Sequence, residues 1–228
     1  MSKLFQILSG AGGGDSGPVY VEDVFSIDAY DSTHGTSPIV NGINFADDGG
    51  LVWFKHRTST FGNILFDTER GKTNHLVSNT AAANAATIGL GSFNTDGFSF
   101  SGTNLNINSA SHVAWSWKKE KGWFDIVTFD GSNGSGYHNF SHNLGSTPKC
   151  IIVKRTDGGT ENWYVYHASL AANGSQHTVL NSSASADTGG GVFGTPTDTT
   201  FSVSPYVMNM TSGSNTAVAY LFGDDAVF

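Results

Sequence analysis

The chain has 228 residues, 38% hydrophobic, 12% aromatic and only 13% charged, with 29 glycines and a formal net charge of −8. This balance excludes a disordered chain, which needs high charge and few aromatics; without a continuous basic face it also excludes nucleic-acid binding. A single cysteine excludes a disulfide framework within the chain, so stability must come from burial or from partners.

The N-terminus carries a short apolar, strand-like stretch, "LFQIL" (4–8), on a glycine-rich spacer, "SGAGGGDSGP" (9–18). Exposed on a monomer, such a segment is an aggregation hazard. In an assembly it can add a strand to a neighbour's sheet, which makes Leu4, Phe5, Ile7 and Leu8 candidate assembly residues. The apolar stretch is too short for a signal peptide, and no run reaches the roughly 18 apolar residues of a membrane span. Synthesis in a cytoplasm without membrane insertion is the expectation.

From about residue 20 onward, short apolar runs alternate with Gly, Asn, Asp and Ser clusters, the pattern of strands and turns. The runs occur twice. "DVFSI" (23–27) answers "DIVTF" (125–129), Lys55 answers Lys154, and Asn63 answers Asn162. Further along, "HLVSNT" (75–80) answers "TVLNSS" (178–183), and "HVAWSW" (112–117) answers "AVAYLF" (217–222). A repeated structural unit with variable loops gives such drifting matches. The expected fold is all-β: two tandem, internally duplicated β-sandwich domains, jelly-roll-like, behind a short glycine-rich arm. The boundaries read as 1–19 for the arm, 20–121 for the first repeat and 122–228 for the second with a short C-terminal tail.

Side chains alternate across a strand. In the last strand of the first repeat, Val113, Trp115 and Trp117 are expected inward as core, with Val218, Tyr220 and Phe222 as their counterparts in the second. "LVWF" (51–54) and "CIIV" (150–153) are continuously apolar, the mark of strands covered on both faces. Something is therefore expected over their outer faces: the sister domain, a loop or another chain.

Catalytic motifs fail their context tests. "GDSGP" (14–18) resembles the nucleophile loop of chymotrypsin-like proteases, but the histidine and aspartate of that family precede the serine, and only a short stretch stands ahead of it here. "GGGDSG" (12–17) fits G-x-G-x-x-G without the strand and helix that a dinucleotide site needs. On one strand, His138 and His142 would lie about 13 Å apart, too far for one metal ion. The aspartates fall in loops with no diagnostic spacing for a glycosidase pair or a calcium site. No catalytic residue, metal or cofactor is expected. Trp53, Trp163, Tyr164 and Tyr206 are the candidate glycan or interface aromatics, if exposed.

Several strings together, "YVEDVFSIDAY" (20–30), "GGLVWFKHR" (49–57), "SHNLGSTPKCIIVKRTDGG" (141–159) and "NWYVYHASL" (162–170), resemble a domain recurring in virion proteins of marine bacteriophages, often at the C-terminal end of tail-fibre or tail-associated proteins. The resemblance implies a non-enzymatic virion structural protein, a tail-fibre or appendage subunit with host-surface contact; capsid decoration, a head fibre and a carbohydrate-binding module are the alternatives. The partners it implies are further copies of the chain in a trimer or higher symmetric oligomer, other virion proteins and a host surface glycan.

Overall fold

The computed structural model describes residues 6–7, 19–31, 36–58, 60–86, 88–101, 105, 111–132, 136–187, 191–204 and 208–223. Among these, every regular element except one four-residue helix is a strand, as the turn-punctuated apolar runs require. Two compact units result: unit 1 spans Met1–Val77, Asn84–Glu120 and Ala226–Phe228, and unit 2 spans Ser78–Ala83 and Lys121–Asp225.

Unit 1 opens with β1 (Gln6–Ile7), which pairs antiparallel with β2 (Val19–Tyr20). The short α1 (Val21–Val24) follows, and the Asp23 carboxylate there accepts the Tyr20 N–H at 2.9 Å. Next come β3 (Phe25–Asp31), β4 (Ile39–Val40), β5 (Gly50–His56) and β6 (Ile64–Asp67). After them run β7 (Leu76–Val77), β8 (Leu90–Asn94), β9 (Gly97–Phe100) and β10 (Ser111–Lys118). They form a five-stranded sheet in the order β3-β10-β5-β6-β7 and a three-stranded sheet in the order β4-β9-β8. Phe54 and Phe66 from the large sheet meet Phe98 and Phe100 from the small one, and these rings dominate the core between the sheets. Where β9 approaches β4, Gly97 has φ +143°, and a Cβ there would lie 2.0 Å from the Ile39 carbonyl oxygen. Only glycine fits that position.

Unit 2 contains β11 (Phe124–Asp130), β12 (His138–Ser141), β13 (Cys150–Arg155) and β14 (Tyr164–His167). It continues through β15 (Thr178–Val179), β16 (Thr200–Val203) and β17 (Thr216–Phe222). The large sheet runs β11-β17-β13-β14-β15, and β12 pairs with β16 in the small one. Its core gathers Phe129, Ile151, Val153 and Tyr166 from the large sheet against Phe201 and Val203 from the small one. Each unit is thus an all-β sandwich of antiparallel strands. The two large sheets have one strand order when β3, β10, β5, β6 and β7 stand for β11, β17, β13, β14 and β15.

The strand registers correct two of the sequence matches. Phe25 pairs with Trp117 while Phe124 pairs with Phe222, so Phe25 answers Phe124 and the first strand is shifted by three residues from its sequence match. An odd shift places every side chain on the opposite face. The bridges His75–Ala85 and His177–Asp187 likewise align His75 with His177, one residue from the expected match.

The face of β10 is a larger correction. His112, Ala114 and Ser116 point into the sandwich and are buried, whereas Val113, Trp115 and Trp117 lie half-buried on the outer face. In β17 the core takes Ala217, Ala219 and Leu221, while Val218 and Tyr220 are buried on the opposite face. Volume explains both. In unit 1, Phe54, Phe66, Phe98 and Phe100 already fill the interior beside Ala114; in unit 2, Phe129, Tyr166, Phe193 and Phe201 leave room for Ala217 and Ala219.

In "CIIV", Ile151 and Val153 are buried in the core, while Cys150 and Ile152 on the outer side are half-buried under partial cover. On the outer side of unit 2, the segment Ser78–Ala83 supplies the cover: the Trp163 indole N–H donates to the Thr80 carbonyl and Lys154 Nζ to the Ala81 carbonyl, each at 3.0 Å.

Candidate aromatic groove of unit 1

Register places three rows of side chains across the outer face of the unit 1 sheet. Phe25, Trp117 and Leu51 form the first; Ile27, Trp115 and Trp53 the second; Ala29, Val113 and Lys55 the third. Arg57 continues β5 two residues beyond Lys55, so Trp53, Lys55 and Arg57 follow one edge of the platform at about 7 Å intervals. Leu51 is buried, but Ile27 is 60% exposed and the three tryptophans and Phe25 are half-buried. The rings support one another. Phe25 and Trp117 lie 5.2 Å apart in a tilted pair, and Trp53 meets the edge of Trp115 at 6.3 Å.

The platform floors an open groove in two adjoining parts. One, of about 400 Å³, is lined by Phe25, Trp53, Lys55, Asn63, Trp115 and Trp117. The other, of about 530 Å³, shares Lys55 and Trp115 and extends past Ile27 and Val113 to His56 and Arg57. Among the described residues, the Lys55 and Arg57 side chains make no ion pair or hydrogen bond, and no carboxylate lines either part. The Trp53 indole N–H is buried and makes no hydrogen bond among the described residues.

At the cationic end, His56 is buried and meets His112 edge-on at 4.4 Å, while the exposed Phe61 lies against it at 5.0 Å. His112 stacks on Tyr30 at 5.0 Å, and the Tyr30 hydroxyl donates to the Leu105 carbonyl at 3.1 Å. Burial, reinforced by neighbouring Lys55, pulls the His56 imidazole below its ordinary range, so the ring is held neutral. Burial also raises Tyr30, and the Asp28 charge adds to it.

Of the aromatics named from sequence, Trp53 lines the groove. Trp163 is fully buried, so its ring offers no face to a sugar. Tyr164 points inward against the unit 2 core, 5.6 Å from His177. Tyr206, Leu4, Phe5 and Leu8 lie outside the described residues; Ile7 belongs to β1, whose backbone pairs with β2 of the same chain. Sequence reasoning missed Phe25, Lys55, Trp115 and Trp117 as groove residues. The available signal was Lys55, which shares the face of Trp53 and marks it as non-core.

The remaining polar clusters perform structural tasks. His142 accepts the Leu144 N–H at Nδ1 and donates from Nε2 to the Thr197 carbonyl, while His138 sits against Ser132. Among the described residues, no group of three or more His, Cys, Asp or Glu is placed to hold a metal ion. Burial pushes the Cys150 thiol up to about 11, leaving little of the reactive thiolate. Burial alone would raise the Asp157 carboxyl, but hydrogen bonds from Arg155, Asn215 and the Thr216 N–H outweigh it and hold the group at about 2.

The chain belongs to the family described as "Domain of unknown function (DUF7483)", whose model matches residues 22–228. No curated protein and no solved structure matches it.

Proposed function

Taking the chain as a member of this family, we propose that it is a non-catalytic module of a bacteriophage virion, a tail-fibre or appendage subunit in a homo-oligomer that meets the host surface through unit 1. The observation that carries the binding role is the groove: three tryptophans and a phenylalanine on an open sheet face, with cations and no carboxylate along it. A fold that needs its aromatics only for packing turns them inward; here the interior is filled by other rings. The virion setting is supported by the sequence resemblance, whose strings span both units. The arm around Leu4–Leu8 is the proposed contact to other virion proteins.

Quantitative mass spectrometry of purified particles against the major capsid protein tests this reading. A copy number that is a small multiple of three or six supports a tail location. Hundreds of copies would move the chain to the capsid shell, and absence from particles would overturn the virion role. Removing residues 1–10 should leave both sandwiches folded and abolish incorporation; normal incorporation of the shortened chain would remove the arm from the proposal.

A further inference from the structure

We propose that the unit 1 groove binds an acidic polysaccharide, its sugar rings stacked on Trp115 and Trp53 and its anionic groups held by Lys55 and Arg57; this rests on the host-contact reading above and names its ligand. Aromatic rings present a negative π face, which favours the C–H faces of pyranose rings. Trp53 and Trp115 stand in register on adjacent strands with their rings inclined at 75°, so they offer two neighbouring surfaces set at an angle to one another. Trp117 and Phe25 extend them one row further, enough surface for more than a single sugar unit.

The charge pattern selects the class of glycan. The chain carries 19 acidic and 11 basic residues, yet among the described residues the groove gathers two cations and no carboxylate. Among the described residues of this face, Asp31 pairs with Ser111 about 10 Å from Arg57 across two strand spacings, and Asp67, in register with Leu51, is paired with Arg70. Lys55 and Arg57 therefore keep their full attraction for an anion, and Arg57 can receive a carboxylate or sulfate ester as a fork. A neutral glycan would leave both cations unused. A nucleic acid would find two cations in an otherwise acidic protein, too few to displace counterions along a backbone.

The test uses the recombinant full chain, titrated with polygalacturonate, dextran sulfate, neutral dextran and a thymidine oligonucleotide while tryptophan fluorescence is followed. The expected result is binding to at least one acidic polysaccharide roughly tenfold or more tighter than to dextran or the oligonucleotide. Which acidic polymer binds separates carboxylate from sulfate ester, and either supports the proposal. Trp115→Ala and the double variant Lys55→Gln/Arg57→Gln should each weaken binding by on the order of tenfold, with circular dichroism confirming that they fold. The double variant changes only solvent-facing charges, so it keeps the test intact if Trp115→Ala does not fold.

Equal binding of dextran, equal binding of the oligonucleotide, or an unchanged affinity in a folded variant would overturn the proposal. So would a concentration-dependent dimer, seen by sedimentation velocity, that Trp115→Ala abolishes while no polymer binds, because the occupant would then be a second copy. The measurement needs no particle. Its failure leaves the virion census untouched, and a chain absent from particles leaves the polymer result standing.

Discussion

Burial strips Asp67 of water, and Arg70 replaces it. Arg70 Nε and a terminal guanidinium nitrogen each lie 2.6 Å from the carboxylate, and the Arg70 backbone N–H donates to its other oxygen at 2.8 Å. Arg70→Met takes both guanidinium contacts from a fully buried carboxylate, and should lower the unfolding free energy by about 3–5 kcal/mol in urea titration. The histidines predict a pH response. His56, His75 and His177 are all pulled below 6.5, chiefly by burial, so below that pH the unfolded chain binds protons the folded one resists. Their stability contribution is complete above about 6.5 and is lost as pH falls through the depressed folded values. A thermal midpoint that holds from pH 8 to 7 and falls progressively below 6.5, with a smaller fall in His56→Gln, is the expected outcome. Asp157 adds a separate loss lower down, between the ordinary carboxylate range near 4 and its folded value of about 2.

At the scale of the element, β10 decides what each face of unit 1 can do. Ala114 sits in register beside Phe54 in a filled interior, so Ala114→Leu should destabilise by about 1–3 kcal/mol through overpacking. Val113→Leu on the outer face should change stability by less than about 0.5 kcal/mol. The same pair of urea titrations, with the two costs reversed, would return the tryptophans to the core. Gly97→Ala should also cost stability, since its Cβ would meet the Ile39 carbonyl. Much of this architecture was legible in the sequence. Turn residues between apolar runs gave the strands, and the repeated strings gave the two sandwiches. The facing of β10 was not legible, because apolarity favours Trp115 and Trp117 as core. Only the volume already occupied by Phe54, Phe66, Phe98 and Phe100 turns them out, and that volume comes from strands distant in the chain. The fate of Lys154 was equally hidden: one of the two carbonyls that receive it, Ala81, is 73 residues away.

Across the whole molecule, two sheets of one strand order have acquired different outer faces. Lys55 and Lys154 occupy the same place in their repeats, each beside the valine of the central strand, Val113 or Val218. In unit 2, Ser78–Ala83 lies over that face, Lys154 donates to the Ala81 and Glu161 carbonyls, and burial pulls its pKa down to about 8. In unit 1 the corresponding lysine lines an open groove among tryptophans. Two sheets of one strand order thus differ outside: unit 2 buries its lysine beneath Ser78–Ala83, and unit 1 leaves its lysine lining a groove, the face proposed above for binding. Hydroxyl-radical footprinting of the isolated chain, read by mass spectrometry at single tryptophans, tests this division most directly. Oxidation of Trp115 and Trp117 markedly faster than Trp163 is the predicted result. Trp163 reacting as fast as they do, or Trp115 and Trp117 as protected as Trp163, would contradict an open recognition face on unit 1.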